Sequence, residues 1–206
     1  MRLTDLVNQP GEWLRGTGAA SDIVISTRVR LARNIAGYPF VTRLAPDQQA
    51  ELSHRLCASI CEDGAVPECH YFDLKVANEI ERRLLVERHL ISREHEEAEG
   101  DRGVAIQPTE AISIMVNEED HLRIQVLHAG FELADVWQTA NEIDTHLGDS
   151  IPYAYSERLG FLTACPTNVG TGLRASVMLH LPALEMTKQI EKVFHAVAKI
   201  NLAVRG

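Results

Sequence analysis

The chain has 206 residues, 45% apolar and 24% charged, which excludes a disordered or collagen-like polymer and leaves room for one large or two small globular domains. Its 29 acidic and 20 basic residues give a formal net charge of −9, the wrong sign for a general nucleic-acid binder, whose affinity comes from neutralised phosphates. No apolar run approaches the ~18 residues of a membrane span, and the N-terminal MRLTDLVNQPGEWLRG lacks the apolar stretch of an export signal, so a cytoplasmic protein with no membrane partner is expected.

In chain order, the alternating, β-branched run 22–31 predicts a strand. Ala45-Pro46-Asp47 opens a predicted helix with Leu52, Leu56 and Ile60 on one face. Asp73 is the expected cap of a second helix that turns Leu74, Ala77, Ile80 and Leu84 inward. The acidic run 94–101 reads as a solvated loop separating an N-terminal part from the rest. Runs 111–116 and 122–127 read as strands around a polar junction. Residues 132–147 predict a helix with a stripe of Leu133, Val136, Trp137, Ala140, Ile143 and Leu147, closed by Gly148. A strand over 173–181 and a helix over 183–200 follow, the latter with Met186, Ile190, Val193, Val197 and Ile200 inward. Strands and helices mix without a βαβ rhythm, so the expected fold is α+β, a largely antiparallel sheet flanked by helices. The end, Ala203-Val204-Arg205-Gly206, has no cap or polar tail and reads as an interruption.

Four segments could carry chemistry. In Ser26-Thr27-Arg28-Val29-Arg30, alternation puts Ser26, Arg28 and Arg30 on one strand face, with Arg33 just after. Neighbouring like charges repel, and a phosphate between them relieves this; a solvated edge strand with surface ion pairs is the plain alternative. Glu118, Glu119 and Asp120, followed by His121 and Arg123, are either a tight acidic turn or carboxylates poised for a cationic substrate. In the loop Cys165 to Arg174, glycines allow close backbone approach to an anion, and a thiol there can be activated as thiolate. Cys57, Cys61 and Cys69, with His70 nearby, form too weak a pattern for a zinc site and read as ordinary thiols. Taken locally, His89 reads as a helix-end histidine without a task.

Together, STRVRLARN (26–34), GYPF (37–40), NEEDHLR (117–123) and CPTNVGTGLRASV (165–177) resemble the phosphagen kinases, the ATP:guanidino phosphotransferases. The similarity runs from about Ser21 to the end and implies an N-terminal arm over 1–20 and a catalytic domain over 21–206 with a glutamine-synthetase-like sheet. Within the family the chain looks most like the bacterial branch whose acceptor is an arginine side chain of a protein. RLARN, the phrase VERHLIS and the mere 20 residues before Ser21, where small-molecule kinases have a helical domain, carry that assignment.

The resemblance implies ATP and Mg²⁺ as cofactors. It assigns phosphate or nucleotide contact to Arg28, Arg30, Arg123, Arg174 and Arg205. The surrounding segments, Ser26, Thr27 and Val29, then Ala175, Ser176, Val177 and Met178, and finally Gly206, join the same nucleotide site. It overturns the local reading of His89, which matches a nucleotide-contacting histidine. Glu119 matches the carboxylate that orients the guanidinium and takes its proton, and Cys165 the reactive cysteine beside it. Expected partners are proteins with exposed arginines, an activating adaptor and the protein-degradation machinery. The family's loop with a second catalytic carboxylate begins at the Arg-Gly matching 205–206, so the chain is expected to be C-terminally incomplete. A kinase for free arginine or another small guanidino compound, and a catalytically silent nucleotide-binding module, remain as alternatives.

Overall fold

The structure, a computed structural model, describes residues 3–8 and 10–205. The strands are β1 (Val24–Arg33), β2 (His70–Asp73), β3 (Gly103–Ile106), β4 (Ile112–Val116), β5 (Leu122–Ala129), β6 (Tyr155–Ser156), β7 (Gly160–Phe161) and β8 (Leu173–Leu179). The helices are α1 (Pro46–Cys57), α2 (Glu79–Glu87), α3 (Arg93–Glu97), α4 (Leu133–Ser150), α5 (Pro182–Met186) and α6 (Ile190–Lys199). Six strands form one sheet in the order β2-β3-β4-β5-β1-β8, and every pairing in it is antiparallel. The fold is therefore α+β, as the sequence predicts.

Alternation along the strands divides the sheet into two unlike faces. On one, Val29 and Leu31 of β1, Ile112, Ile114 and Val116 of β4, and Leu122, Ile124 and Val126 of β5 are buried. They pack against Leu52 and Leu56 of α1 and Val136, Ala140, Ile143 and Leu147 of α4. On the other face a smaller cluster joins Val104, Ile106 and Met115 to Leu85 of α2 and to Leu3 and Leu6. That second cover lies over β3 and β4. Over β5, β1 and β8 the same face carries arginines instead.

Several local expectations are corrected. Asp73 ends β2, and its carboxylate accepts the Lys75 N–H in a turn. The helix begins at Glu79, where Asn78 and Glu81 form a reciprocal capping box; Leu74 and Ala77 are buried in the preceding turn, and Ile80 is 80% exposed. The box outcompetes the earlier Asp because it satisfies two orphan N–H groups at once. The acidic run is not all loop: Ser92 caps the short α3 by accepting the His95 N–H. Nor does the run separate two parts, since β2 and β3 pair across it. Gly148 lies inside α4, which ends at Ser150.

Leu133 and Trp137 of the predicted α4 stripe are 38% and 42% exposed. The first turns of α4 overhang β8, where a groove of about 640 Å³ runs between Trp137, Phe131, Leu133, Leu173 and Ala175. The last predicted helix is two helices, α5 and α6, broken around Lys188, which adopts φ +55°. The break rotates the apolar stripe out of phase, so Met186 and Ile200 are 84% and 66% exposed and Ile190, Val193 and Val197 only half-buried.

One buried group makes stability acid-sensitive. His95 is fully buried; its Nε2–H donates to the Gly103 carbonyl at 3.0 Å, and Nδ1 has no partner among the described residues. Burial, outweighing the Gly103 carbonyl and the charge of Glu118, lowers its pKa to about 4. The unfolded chain therefore takes up this proton first, below about pH 6.5. Stability present above that pH is lost as pH falls toward 4, by about 3 kcal/mol in all. Denaturant titrations across this window should show that slope in the native sequence, and a flatter one in His95→Gln.

Candidate active site

The register of the sheet brings the arginines together. Arg30 on β1 stands opposite Arg174 on β8 and opposite Gln125 on β5. Arg28 stands opposite Ser176, and Arg123 opposite Ala32, two residues along β1 from Arg30. Directly paired residues of an antiparallel ladder share a face, so Arg28, Arg30, Arg123 and Arg174 all project from one side, together with Ser26, Gln125, Ser176 and Met178. Thr27, Val29, Ala175 and Val177 alternate to the other side. Thr27 is fully buried, its hydroxyl donating to the Gly130 carbonyl at 2.6 Å, and Val29 is part of the main core.

This concentration of positive charge is costly in the free protein. Burial, then the charges of Arg123 and Arg174, lowers the pKa of Arg28. Burial, then Arg28, Arg123 and Arg174, lowers that of Arg30 to about 9. At about 9, Arg30 still carries its charge at neutral pH. Arg28 Nε donates only a long bond to Ser176 Oγ, 3.4 Å, and the buried Arg30 Nε has no partner among the described residues. A buried guanidinium N–H without an acceptor, inside a group of like charges, fits an anionic ligand such as a polyphosphate. Arg33 takes no part. It points to the other side, pairs with Asp144 at 2.7 Å and lies 3.6 Å over the Phe161 ring.

His89 reaches this face through its backbone. It follows α2 with φ +59°, a strained geometry for a residue with a side chain. Its carbonyl accepts from Gln125 Nε2 at 2.7 Å, and Gln125 is the cross-strand partner of Arg30. The His89 ring packs edge-on against Trp13. Burial and then the charge of Arg28 lower its pKa.

The turn between β4 and β5 supplies the carboxylates. Asn117 opens it at φ +58°, and its amide donates to the carbonyls of Gln49 and Asp101. Glu118 accepts from Arg123 Nη1 and from Ser92 Oγ, both at 2.6 Å, and from the Glu119 N–H at 3.1 Å. Burial alone would raise the Glu118 pKa, but Arg123, Ser92 and the Glu119 N–H outweigh it and hold the carboxyl below its ordinary range. Glu119 differs: it is exposed. The partial burial of its carboxyl, then the charges of Asp120 and Glu118, raise its pKa. It lines a cleft of about 80 Å³ with Glu118, Arg30, Arg123, Arg174 and Asn168.

A buried polar network joins this turn to the loop of Cys165. Asp120 Oδ1 accepts from Asn34 Nδ2 at 2.5 Å and from the Ala164 N–H at 2.7 Å. Asn34 also donates to the Leu162 carbonyl and accepts the His121 N–H. His121 Nδ1 accepts the Ile35 N–H at 2.9 Å, so Nε2 carries the proton donated to the Pro39 carbonyl. RLARN, GYPF, NEEDH and CPTN are thus one clamp, which fixes Cys165, the residue after Ala164, near the carboxylate turn. Cys165 Sγ lies 3.0 Å from Thr167 Oγ1. Gly172 has φ +63°, and a Cβ there would meet the Ala32 carbonyl at 2.6 Å, so only glycine lets the loop hug β1 before Arg174. Arg205 is exposed beyond α6, and Gly206 lies outside the described residues.

Sequence reasoning did not single out Gln125 or Asn34 as site residues, and it gave Glu118 and Asp120 only as members of the acidic turn. Gln125 was recoverable, since it alternates with Arg123 on one strand. The Asn34–Asp120 bond was not, because its partners lie 86 residues apart.

An antiparallel sheet with an arginine-rich open face beside a carboxylate turn is suited to hold an anionic ligand. The profile of the ATP:guanido phosphotransferase C-terminal catalytic domain matches residues 51–206, and the chain belongs to that family. It is 46% identical over 207 residues to a protein-arginine kinase of Halothermothrix orenii, covering all of this chain and 59% of that protein. A protein-arginine kinase of Brevibacillus brevis is 47% identical over 202 residues, covering 97% of this chain and 56% of the relative. The chain thus spans less than two thirds of the length of these relatives. A duplicated taurocyamine kinase of Schistosoma mansoni, solved with transition-state-analogue components, superimposes with a TM-score of 0.74 at 28% identity. It covers 93% of this chain and 28% of that one. Lombricine kinase, at 24% identity and a TM-score of 0.71 over 92% of this chain and 58% of that one, shares the fold.

Proposed function

We propose that the protein transfers the γ-phosphoryl group of ATP to arginine side chains of other proteins. The observation that carries it is the register-matched group Arg28, Arg30, Arg123 and Arg174 on one sheet face, of which Arg30, Arg123 and Arg174 line a cleft that also holds Glu119. The likeness to protein-arginine kinases at 46% identity supports a protein-bound acceptor.

In this proposal the arginines bind the triphosphate and neutralise the charge of the transferring group. Such transfer depends on positioning and electrostatics more than on covalent help. The acceptor nitrogen attacks the γ-phosphorus as the bond to the β-bridging oxygen breaks, and ADP leaves. The attacking guanidinium, with an ordinary pKa above 12, must shed a proton. Glu119 takes it, and a raised pKa makes it a better acceptor than an ordinary carboxylate. Glu118 holds Arg123 in place, and Cys165 flanks the acceptor. Among the described residues no group of three or more His, Cys, Asp or Glu side chains could hold a metal ion. Mg²⁺ would therefore ride on the phosphate oxygens and water, where it adds charge neutralisation. The cytoplasm fits such an enzyme, and no described helix is long and apolar enough to cross a membrane.

The likeness to a taurocyamine kinase favours a second acceptor class, small guanidino compounds. Labelled ATP supplied with an unfolded arginine-containing protein, and separately with free arginine, decides between them. The expected result is acid-labile label on the protein and little on the amino acid. Efficient labelling of free arginine with none on protein would reverse the assignment.

A further inference from the structure

We propose that Cys61 and Cys69 form an oxidisable dithiol that small disulfides convert to an intramolecular disulfide. The pair is remote from the arginine face: Cys61 lies in the turn of helix Ala58–Glu62 that follows α1, and Cys69 immediately precedes β2. β2 is the sheet edge opposite β8.

Geometry carries the proposal. The Cys61 S–H donates to Cys69 Sγ across 2.6 Å, so a covalent bond of ~2.05 Å needs only a small further approach. Both side chains are half-buried, packed beside Tyr71 at the margin of the main core, and within reach of a small reagent. The segment between them is irregular, with Gly64 at φ +82° and Glu68 at φ +55°, and is held to the core by Ala65 and Val66. Cys57, one turn before Cys61, completes the thiol group but bonds to neither sulfur among the described residues.

The two thiols are unlike, which gives the reaction a direction. The hydrogen bond from Cys61 lowers the Cys69 pKa, while the same bond and then burial raise that of Cys61. Burial and then Cys61 push Cys57 up to about 11. Cys69 is therefore the thiolate that attacks first. Its sulfur attacks one sulfur of a low-molecular-weight disulfide RSSR, the S–S bond breaks, and RS⁻ leaves. Cys61 then gives its proton to solvent and attacks the Cys69 sulfur, expelling a second RS⁻. Both leaving thiolates take up protons. The cysteines lose two electrons and two protons in total, and RSSR becomes two RSH.

The test is incubation of the protein with oxidised glutathione, alkylation of remaining thiols, and peptide mapping without reduction. The expected product joins the Cys61 and Cys69 peptides with loss of two hydrogens, leaves Cys57 alkylated, and reverts in dithiothreitol. Closing this short loop should raise the melting temperature by roughly 5–10 °C, with ATP-induced stabilisation unchanged because the site is at the other edge of the sheet. Cys61→Ser should accumulate a glutathione adduct on Cys69 and show no melting shift. Cys61→Ala serves if the serine variant folds poorly. Failure of the native protein to form the Cys61–Cys69 cross-link while Cys57 or Cys165 acquires glutathione would overturn the proposal.

Discussion

Glu119→Gln is expected to lower phosphoryl transfer by roughly 10²–10⁴-fold while leaving the affinity for Mg–ATP almost unchanged. The substitution keeps the shape and removes the proton acceptor. The charges proposed to face the phosphates are elsewhere: Arg123 is engaged by Glu118, and Arg28 and Arg30 have no carboxylate partner among the described residues. A loss confined to turnover marks an interaction made mainly in the transition state. The pH profile adds a second readout. Burial, then Asp120 and Glu118, raise the Glu119 pKa above the ordinary value, and the base must be ionised to act. The wild-type rate should therefore fall on acidification through a pH higher than ~4.3, the value for a free glutamate. The small residual rate of Glu119→Gln should lack this limb. Equal losses of nucleotide affinity and rate would place Glu119 among the nucleotide ligands instead.

Much of this site is legible in the sequence because its elements obey strict periods. The two-residue period of a strand is enough to put Arg28 and Arg30 on one face, and the ladder to β8 extends that face to Arg174 and Ser176. Alternation also separates Thr27 and Val29 from it, which a motif match alone does not reveal. What the sequence could not show is what crosses between elements. Alternation sets Arg33 apart from Arg28 and Arg30, but does not show that Asp144, 111 residues away, is its partner. His89 looks idle taken locally, and only the family resemblance marks it; that Gln125 ties its carbonyl to the arginine face is visible in the structure alone. The short strands β2 and β3 escaped notice because Gly103–Ile106 has no polar alternation, being buried along its whole length. The exposed turns of α4 and the break before α6 were missed for a related reason. An apolar stripe states that a face wants cover, but not whether cover is present at that end of the sheet.

Arg30→Met should raise the stability of the nucleotide-free protein, on the order of 1 kcal/mol, and abolish its response to Mg–ATP. Arg30 is the most compromised member of the group: its pKa is lowered to about 9, and its Nε is buried without an acceptor among the described residues. Methionine preserves the apolar stem that packs on the sheet and removes both the desolvated charge and its repulsion with Arg28, Arg123 and Arg174. In the native sequence, nucleotide binding relieves the same repulsion, so a concentration near 100 Kd should add about 2.7 kcal/mol. For a chain of this size that is a melting shift of roughly 5–10 °C. Added salt should narrow the gap between the two nucleotide-free proteins by screening the exposed part of the repulsion. Parallel thermal melts, with and without Mg–ATP, read all of these quantities. If Arg30→Met melted below the native protein without nucleotide yet kept the full nucleotide shift, Arg30 would be a structural residue, and the phosphate site would have to lie away from it. The expected crossing, with the variant more stable alone and the native protein more stable with Mg–ATP, means the sheet holds unfavourable charge in place for its ligand to neutralise.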